Sequence, residues 1–280
     1  MFSPKVGKYF RKTVHILTLL LFFVIIMMPF YFIIITSFKV EKSILGLPIV
    51  YLPSPFTFAN YAGAWRESNF GRYFWNTLSI AVMTLAIVTV ASMMTGYSLS
   101  RYKFKGKYTV MILFLITQMV PGVLLIIPLF LIVQSLGLVN TLFSVALGTS
   151  ATLLAYCSVL MRGFFSQISI QIEQAAWIDG CNKIQAVLYV VMPLILPGLV
   201  ATGAYAFVNA WNSFLLPLIL LTDPNKFTLT VGLRSLIGQY TISYGRLSAA
   251  GIICLIPAIA MFAYIQRQMV VGLTAGSIKG

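Results

Sequence analysis

The sequence predicts an all-α integral membrane protein with six transmembrane helices. Composition is the first observation: 60% of the 280 residues are hydrophobic and only 9% are charged. A soluble domain has about 45–50% apolar and about 25% charged residues, so this chain cannot build a water-soluble surface and has membrane lipid as its main solvent. The second observation is six apolar runs, 14–38, 75–99, 110–133, 142–161, 194–221 and 247–266, none of which contains Asp, Glu, Lys or Arg. Each is long enough for a helix to cross about 30 Å of hydrocarbon, which takes about 20 residues. What remains is too short for a soluble domain, so residues 1–280 form a single transmembrane domain.

In chain order, the first run follows Lys5, Lys8, Arg11 and Lys12. It is longer than the apolar stretch of a signal peptide and no small-residue cleavage site follows, so it reads as a retained helix. The stretch 39–74 contains Pro48, Pro53 and Pro55, then Tyr61 and Trp65, and reads as an external loop with short surface helices. Arg101, Lys103, Lys105 and Lys107 make a basic turn after the second run. With the N-terminus inside, the internal segments 1–13, 100–109, 162–193 and 267–280 carry 12 Lys/Arg and the external segments carry 7. Basic residues are retained on the cytoplasmic side, which gives an N-in, C-in orientation with a cytoplasmic tail at 267–280. The same placement accounts for the net charge of +14 without nucleic acid.

Several chemistries are excluded. Cys157, Cys181 and Cys254 are widely spaced and His15 is the only histidine; a metal site needs clustered ligands, so none is expected. A phosphate-cradling loop reads G-x-x-x-x-G-K-S/T. The nearest string, Gly106-Lys107-Tyr108-Thr109, lacks the first glycine, so this chain handles no ATP and binds no cofactor itself. Ion-coupled carriers hold ionisable groups at membrane depth; no run contains Asp, Glu, Lys or Arg, and His15 lies at the very start of the first. With five carboxylates, one His and no clustered pair, catalytic residues are absent and an enzyme is disfavoured.

The internal stretch 162–193 is the informative one. Residues 170–179 have helix formers and an apolar set at Ile172, Ala175, Ala176 and Ile178; Gly180 suits the left-handed position that ends a helix. Asn182 with Gln185 reads as an N-cap and capping box, and Pro193 marks the next helix start. This is a helical elbow with small residues and a large anchor, Trp177. Physics leaves two readings open, a partner-docking elbow and a helix lying on the membrane surface; surface helices carry several basic residues, and this one has Lys183 alone.

Glu173-Gln174-Ala175-Ala176-Trp177-Ile178-Asp179-Gly180, with Val190-x-Met192-Pro193 beyond it, resembles the EAA loop of ABC importer permeases: EAA, three residues, Gly, nine residues, Ile-x-Leu-Pro. The segments 56–61, 76–78, 96–101 and 209–214, Pro121 and Pro128, and the tail 272–280 resemble the maltose-permease-like carbohydrate importers, the last one their shorter permease subunit. The resemblance implies a type I ABC importer permease fold in the cytoplasmic membrane of a bacterium or archaeon. It implies a second permease subunit, two ATP-binding subunits that use ATP and Mg, and an extracytoplasmic sugar-binding protein. Glu173, Gln174, Ala175, Ala176, Trp177, Asp179, Gly180 and Pro193 would then couple the chain to the ATPase, and Ala275, Gly276, Ser277, Ile278 and Lys279 would contact it. Two positions depart: the glutamate that names the motif is Gln174, with Glu173 matching a second acidic position, and the usual proline before this helix is Ser169.

Polar residues within the runs, Gln118, Asn209, Trp211 and Asn212, are candidates for the substrate pathway. The competing reading is that they bond helix to helix, worth about 0.6 kcal/mol each. The cargo expected from the resemblance is a sugar or oligosaccharide; a non-sugar solute such as a phosphorylated polyol is the alternative.

Overall fold

The computed structural model describes residues 4–238 and 242–276, with side chains described for 11–66, 68–238 and 242–263. Among the described residues, five helices are long and apolar enough to cross a membrane, and one bent pair of helices passes the same test when its two members are taken together. The chain divides into two compact units, one of residues up to 70 together with 233–253, the other of 71–232 together with the residues from 254 onward.

The first unit begins with α1 (Pro4–Ser37), which carries Pro29 in its interior. Every residue from Arg11 to Ile34 is exposed. An apolar helix exposed all round has lipid or another chain as its neighbour. The following loop holds the short helices Glu41–Ile44 and Ala59–Ala62. Phe38 stacks on Phe56 at 4.6 Å and meets Phe58 and Tyr61 at 5.4 and 5.2 Å. Asn60 Nδ2 donates to the carbonyls of Ser37 and Lys39 at 2.9 and 2.7 Å, closing the end of α1. Glu41 accepts from the backbone N–H groups of Tyr244 (2.6 Å) and Gly245 (3.0 Å). These residues open the last helix, α9 (Tyr244–Gly276), and a carboxylate on the first amides of a helix is favoured by its dipole. The expected sixth run ends at 266, but α9 continues unbroken to Gly276. Ala275 and Gly276 are therefore its last turn, while Ser277, Ile278 and Lys279 lie outside the described residues.

In the second unit, α2 (Phe70–Arg101), α5 (Leu142–Gln167) and α7 (Met192–Trp211) form the centre. Three apolar clusters follow one another along them. The first joins Ile80, Val145 and Ala146 to Val133 and Leu220; the next is Val88, Leu153, Cys157 and Ala206; the third is Met161, Phe165, Val191 and Ile195. In lipid there is no hydrophobic force between helices, so close packing of small residues has to hold them. Gly96 shows this: a Cβ there would sit 2.6 Å from Met161 Cβ and 2.8 Å from the Arg162 nitrogen.

Two expected runs are broken. The run 110–133 is not one helix: α3 (Lys107–Thr117) and α4 (Ile126–Ser135) meet at 102° across residues 118–125. Proline pushes its predecessor out of the α region and supplies no N–H; Pro121, in extended conformation at the break, is the cause. The run 194–221 divides into α7 and α8 (Leu215–Leu220) at Asn212–Phe214. Pro217 has no N–H to give the Ser213 carbonyl, and the Thr230 hydroxyl donates to that carbonyl instead at 2.6 Å. Conversely α5 continues to Gln167, six residues past its expected end at 161. At the far end of the unit, Asn140 accepts from the N–H groups of Thr222 and Asp223. Asn76 Nδ2 donates to the carbonyls of Asn225 and Phe227 there.

Gly96→Ala is expected to lower stability by about 1–3 kcal/mol through overpacking, seen as a lower thermal aggregation temperature in detergent. Gly163→Ala is its control, because a Cβ there meets nothing within 4 Å, and helix propensity alone makes it neutral to stabilising. Equal behaviour of the two variants would refute the close α2–α5 approach.

Candidate functional site

The elbow begins at Ile168, where the backbone turns extended after α5. Ser169 caps α6 (Ile170–Ile178) by accepting from the Gln171 N–H at 3.3 Å. The other end of α6 closes in a Schellman motif: Cys181 N–H donates to the Ala176 carbonyl at 3.0 Å and Gly180 N–H to the Trp177 carbonyl at 3.1 Å. Gly180 has φ +92°, and a Cβ there would meet nothing within 4 Å; it is glycine for its backbone, not for space. Asn182 and Gln185 form a reciprocal capping box, both bonds at 2.9 Å. The chain then passes through a π-helical turn, Ala186–Val191, into α7, with Pro193 in its first turn. The wide turn suits the place, because Pro193 has no N–H to offer the carbonyl four residues earlier.

The 3.6-residue period divides α6 into two faces. Glu173 (1% exposed) and Ala176 (6%) point inward, and α6 packs against the 186–191 turn. Gln174, Ala175, Trp177, Ile178, Asp179 and Gly180 are exposed. Ile178 is 87% exposed, far more open than Trp177.

Glu173 is the buried hub of the elbow. Arg101, the last residue of α2, donates from Nε to Glu173 Oε1 at 2.5 Å, and Tyr97 Oη donates to Oε2 at 3.0 Å. The same guanidinium donates from Nη2 to the Ile168 carbonyl at 3.0 Å. One arginine thus ties both the entry to the elbow and its first turn to α2. The sequence groups Glu173 with the residues expected to couple the chain to the ATPase; its carboxylate is paired inside the chain, and with Gln174 exposed beside it the exposed face of α6 carries only Asp179 as a charge. Sequence reading missed Tyr97 and Arg101 as members of the site. The available signal was scarcity: with 19 basic residues and five acids, each carboxylate has many suitors, and Arg101 closes a helix end beside the elbow.

The polar residues flagged inside the runs are not gathered into one site. Trp211 is 2% exposed; its indole N–H donates to the Cys254 carbonyl of α9 at 3.0 Å and its ring stacks on Phe207. That is helix-to-helix bonding, and the ring offers no open face for a sugar. Asn209 donates to the Tyr205 carbonyl of its own helix at 2.8 Å. Asn212 is exposed at the α7–α8 break, and Gln118 at the α3–α4 break. A cavity of about 540 Å³ opens among α2, α7 and α9, with Leu85, Thr89, Leu199, Gly203, Pro257 and Met261 in its lining. It is apolar and contains none of the four flagged residues.

The sequence profile of the family described as binding-protein-dependent transport system inner membrane component matches residues 88–271. The chain belongs to this family. The permease is similar to the sulfoquinovosyl glycerol transport system permease protein SmoH of Agrobacterium fabrum, 32% identical over 99% of this chain and 98% of that protein. It is 33% identical to the trehalose/maltose transport system permease protein MalG of Thermococcus litoralis, over 90% of this chain and 91% of that one. Its fold matches a crystal structure of a bacterial ABC transporter that imports alginate, with a TM-score of 0.83 at 22% identity over 95% and 98% of the two chains. The permease is a multi-pass protein of the cytoplasmic membrane and is not itself the ATPase of its importer.

Removing one partner of a buried pair leaves an uncompensated charge and costs about 3–5 kcal/mol. Glu173→Ala and Arg101→Ala should each speed hydrogen exchange of the amides in 170–186 while leaving 145–157 protected. The double variant should cost clearly less than the sum of the singles. Additive effects, or an elbow whose exchange is unchanged, would show that the pair does not hold it.

Proposed function

We propose that the permease carries a sugar or short oligosaccharide into the cytoplasm by alternating access, driven by ATP hydrolysed on separate subunits that seat on the elbow. One observation carries this reading: a helix with an exposed small and apolar face, Ala175, Trp177 and Ile178, is held against α2 by a buried ion pair. A face of that kind admits a partner's groove closely, and an aromatic anchor is a residue type enriched at interface hot spots. The rigid link to α2 and the direct continuation into α7 let a displacement of the elbow move the spans. A push on a loosely held surface helix would be lost in the loop.

The assembly in this reading has a second permease chain, two ATP-binding subunits using ATP and Mg, and an extracytoplasmic sugar-binding protein. The exposure of α1 all round from Arg11 to Ile34 supports a neighbouring permease chain. Sugar as cargo is supported by the transport systems for which the similar permeases are named. In this assembly Ala275, Gly276 and the residues 277–279 beyond them contact the ATPase pair, and Gln174 replaces an ionic contact by hydrogen bonding. Gln118, Asn209 and Asn212 remain candidates for the path.

The isolated chain should hydrolyse no ATP, and hydrolysis should appear only with the ATPase and rise with loaded binding protein. Ala175→Asp would bury an unpaired charge, costing about 3 kcal/mol or more, roughly a hundredfold in affinity. Gly180→Val forces a β-branched residue to positive φ, at about 1–3 kcal/mol. Both should leave the chain in the membrane and lower ATPase co-purification and sugar uptake, with Gln174→Ala milder. Ala176→Asp should unfold the elbow itself, because Ala176 faces inward. Wild-type ATPase recovery and uptake in Ala175→Asp and Gly180→Val would place the ATPase seat elsewhere.

A further inference from the structure

A groove of about 320 Å³ runs between the end of α2 and the return limb of the elbow, with Met94, Tyr97, Tyr102, Lys183, Val187 and Leu188 in its lining. It is apolar along its length, and Lys183 is its one charged group. Lys183 is exposed. Tyr102 leads directly into the exposed Lys103, Phe104 and Lys105, and the Lys107 amine donates to the Tyr102 carbonyl at 3.2 Å, which keeps a further positive charge at the turn. Arg101 is not part of this set, because Glu173 and Ile168 take its donors.

We infer that this groove binds one anionic phospholipid, its acyl chain along Met94, Val187 and Leu188 and its phosphate on Lys183 beside the 103–107 turn. Charge complementarity selects the occupant. A neutral apolar partner would leave Lys183 facing an apolar surface, whereas an acyl chain ending in a phosphate satisfies both halves of the groove. Basic residues immediately beyond a span attract anionic lipid, and interleaved aromatics such as Tyr102, Phe104 and Tyr108 sit at the headgroup level. The site adjoins the joint: the Tyr97 ring lines the groove while its hydroxyl holds Glu173. An acyl chain there packs against the residue that fixes the elbow. The inference needs only that this end of the spans meets lipid headgroups, and it does not depend on the cargo.

The test uses the assembled transporter in nanodiscs of phosphatidylcholine, or of phosphatidylcholine mixed with phosphatidylglycerol, doped with a photoactivatable analogue of either lipid. Phosphatidylglycerol should label peptides containing Met94 and residues 183–188 at least several-fold more than phosphatidylcholine does. The preference should shrink with salt, survive Lys183→Arg and disappear in Lys183→Glu. Val187→Trp, which fills the groove, should block labelling by both lipids. Inorganic phosphate at millimolar concentration should not compete. Equal labelling by the two lipids, a preference that survives Lys183→Glu, competition by phosphate, or a groove covered by a protein subunit in the assembled transporter would each overturn the site. Should Lys183→Glu fail to assemble, the contrast between the two lipids in the wild-type chain and the Val187→Trp block decide.

Discussion

The Arg101–Glu173 pair is the constraint on which the elbow depends. Spans in a bilayer find no hydrophobic reason to hold a polar segment at their ends, since lipid is as apolar as their own side chains. The elbow has to be fastened by polar chemistry. Its caps, Ser169 at one end of α6 and Gly180 at the other, shape it but do not position it. Position comes from one guanidinium that reaches both Glu173 and the Ile168 carbonyl. A buried pair of this kind contributes little net stability against an apolar replacement. What it supplies is a single geometry, and a segment that transmits force needs that more than it needs stability.

The other carboxylates tell a related story. Five acids serve 280 residues, and the two besides Glu173 whose bonding is described are also placed at backbone ends. Glu41 closes the first amides of α9, and Asp223 accepts from the Asn225 N–H to start the turn at 224–226. Asp179, at the exposed end of α6, sits where it punctuates the helix before Gly180. Among the described residues, Glu41, Asp179 and Asp223 lie at helix or turn ends, and Glu173 fastens the first turn of α6.

The spans were legible because they rest on composition and length alone. So was the bend of the elbow: its caps are local, with partners no more than five residues apart, and Gly180 and the Asn182–Gln185 pair are residue signatures of such ends. The interruptions were not legible. Pro121 and Pro128 were visible in the third run, yet proline within an apolar run is compatible with a mild kink or with a bend of 102°, and neighbouring structure decides. The Asn212–Phe214 break depends on Thr230 satisfying the Ser213 carbonyl, a contact across seventeen residues that no window reveals. Glu173 was found as part of the motif, without the direction in which it faces. Its partner lies 72 residues earlier, and motif spacing locates a residue without saying which face it turns to. Trp211 was left open between two readings for a related reason: a large aromatic in a span can face a path or the packing, and only the Cys254 carbonyl shows which.

The π-helical turn at Ala186–Val191 has a geometric meaning of its own. An α-helix advances its side chains by one turn every 3.6 residues, so a single residue corresponds to roughly 100° of azimuth. A π turn accommodates one residue more than the regular coil would. The elbow and α7 are therefore set out of phase by one insertion, absorbed where Pro193 already interrupts the ladder. The direction in which α6 faces and the register in which α7 packs against α5 become separate variables. One can be re-aimed over evolutionary time, by adding or losing a single codon, while the seam between the spans is kept.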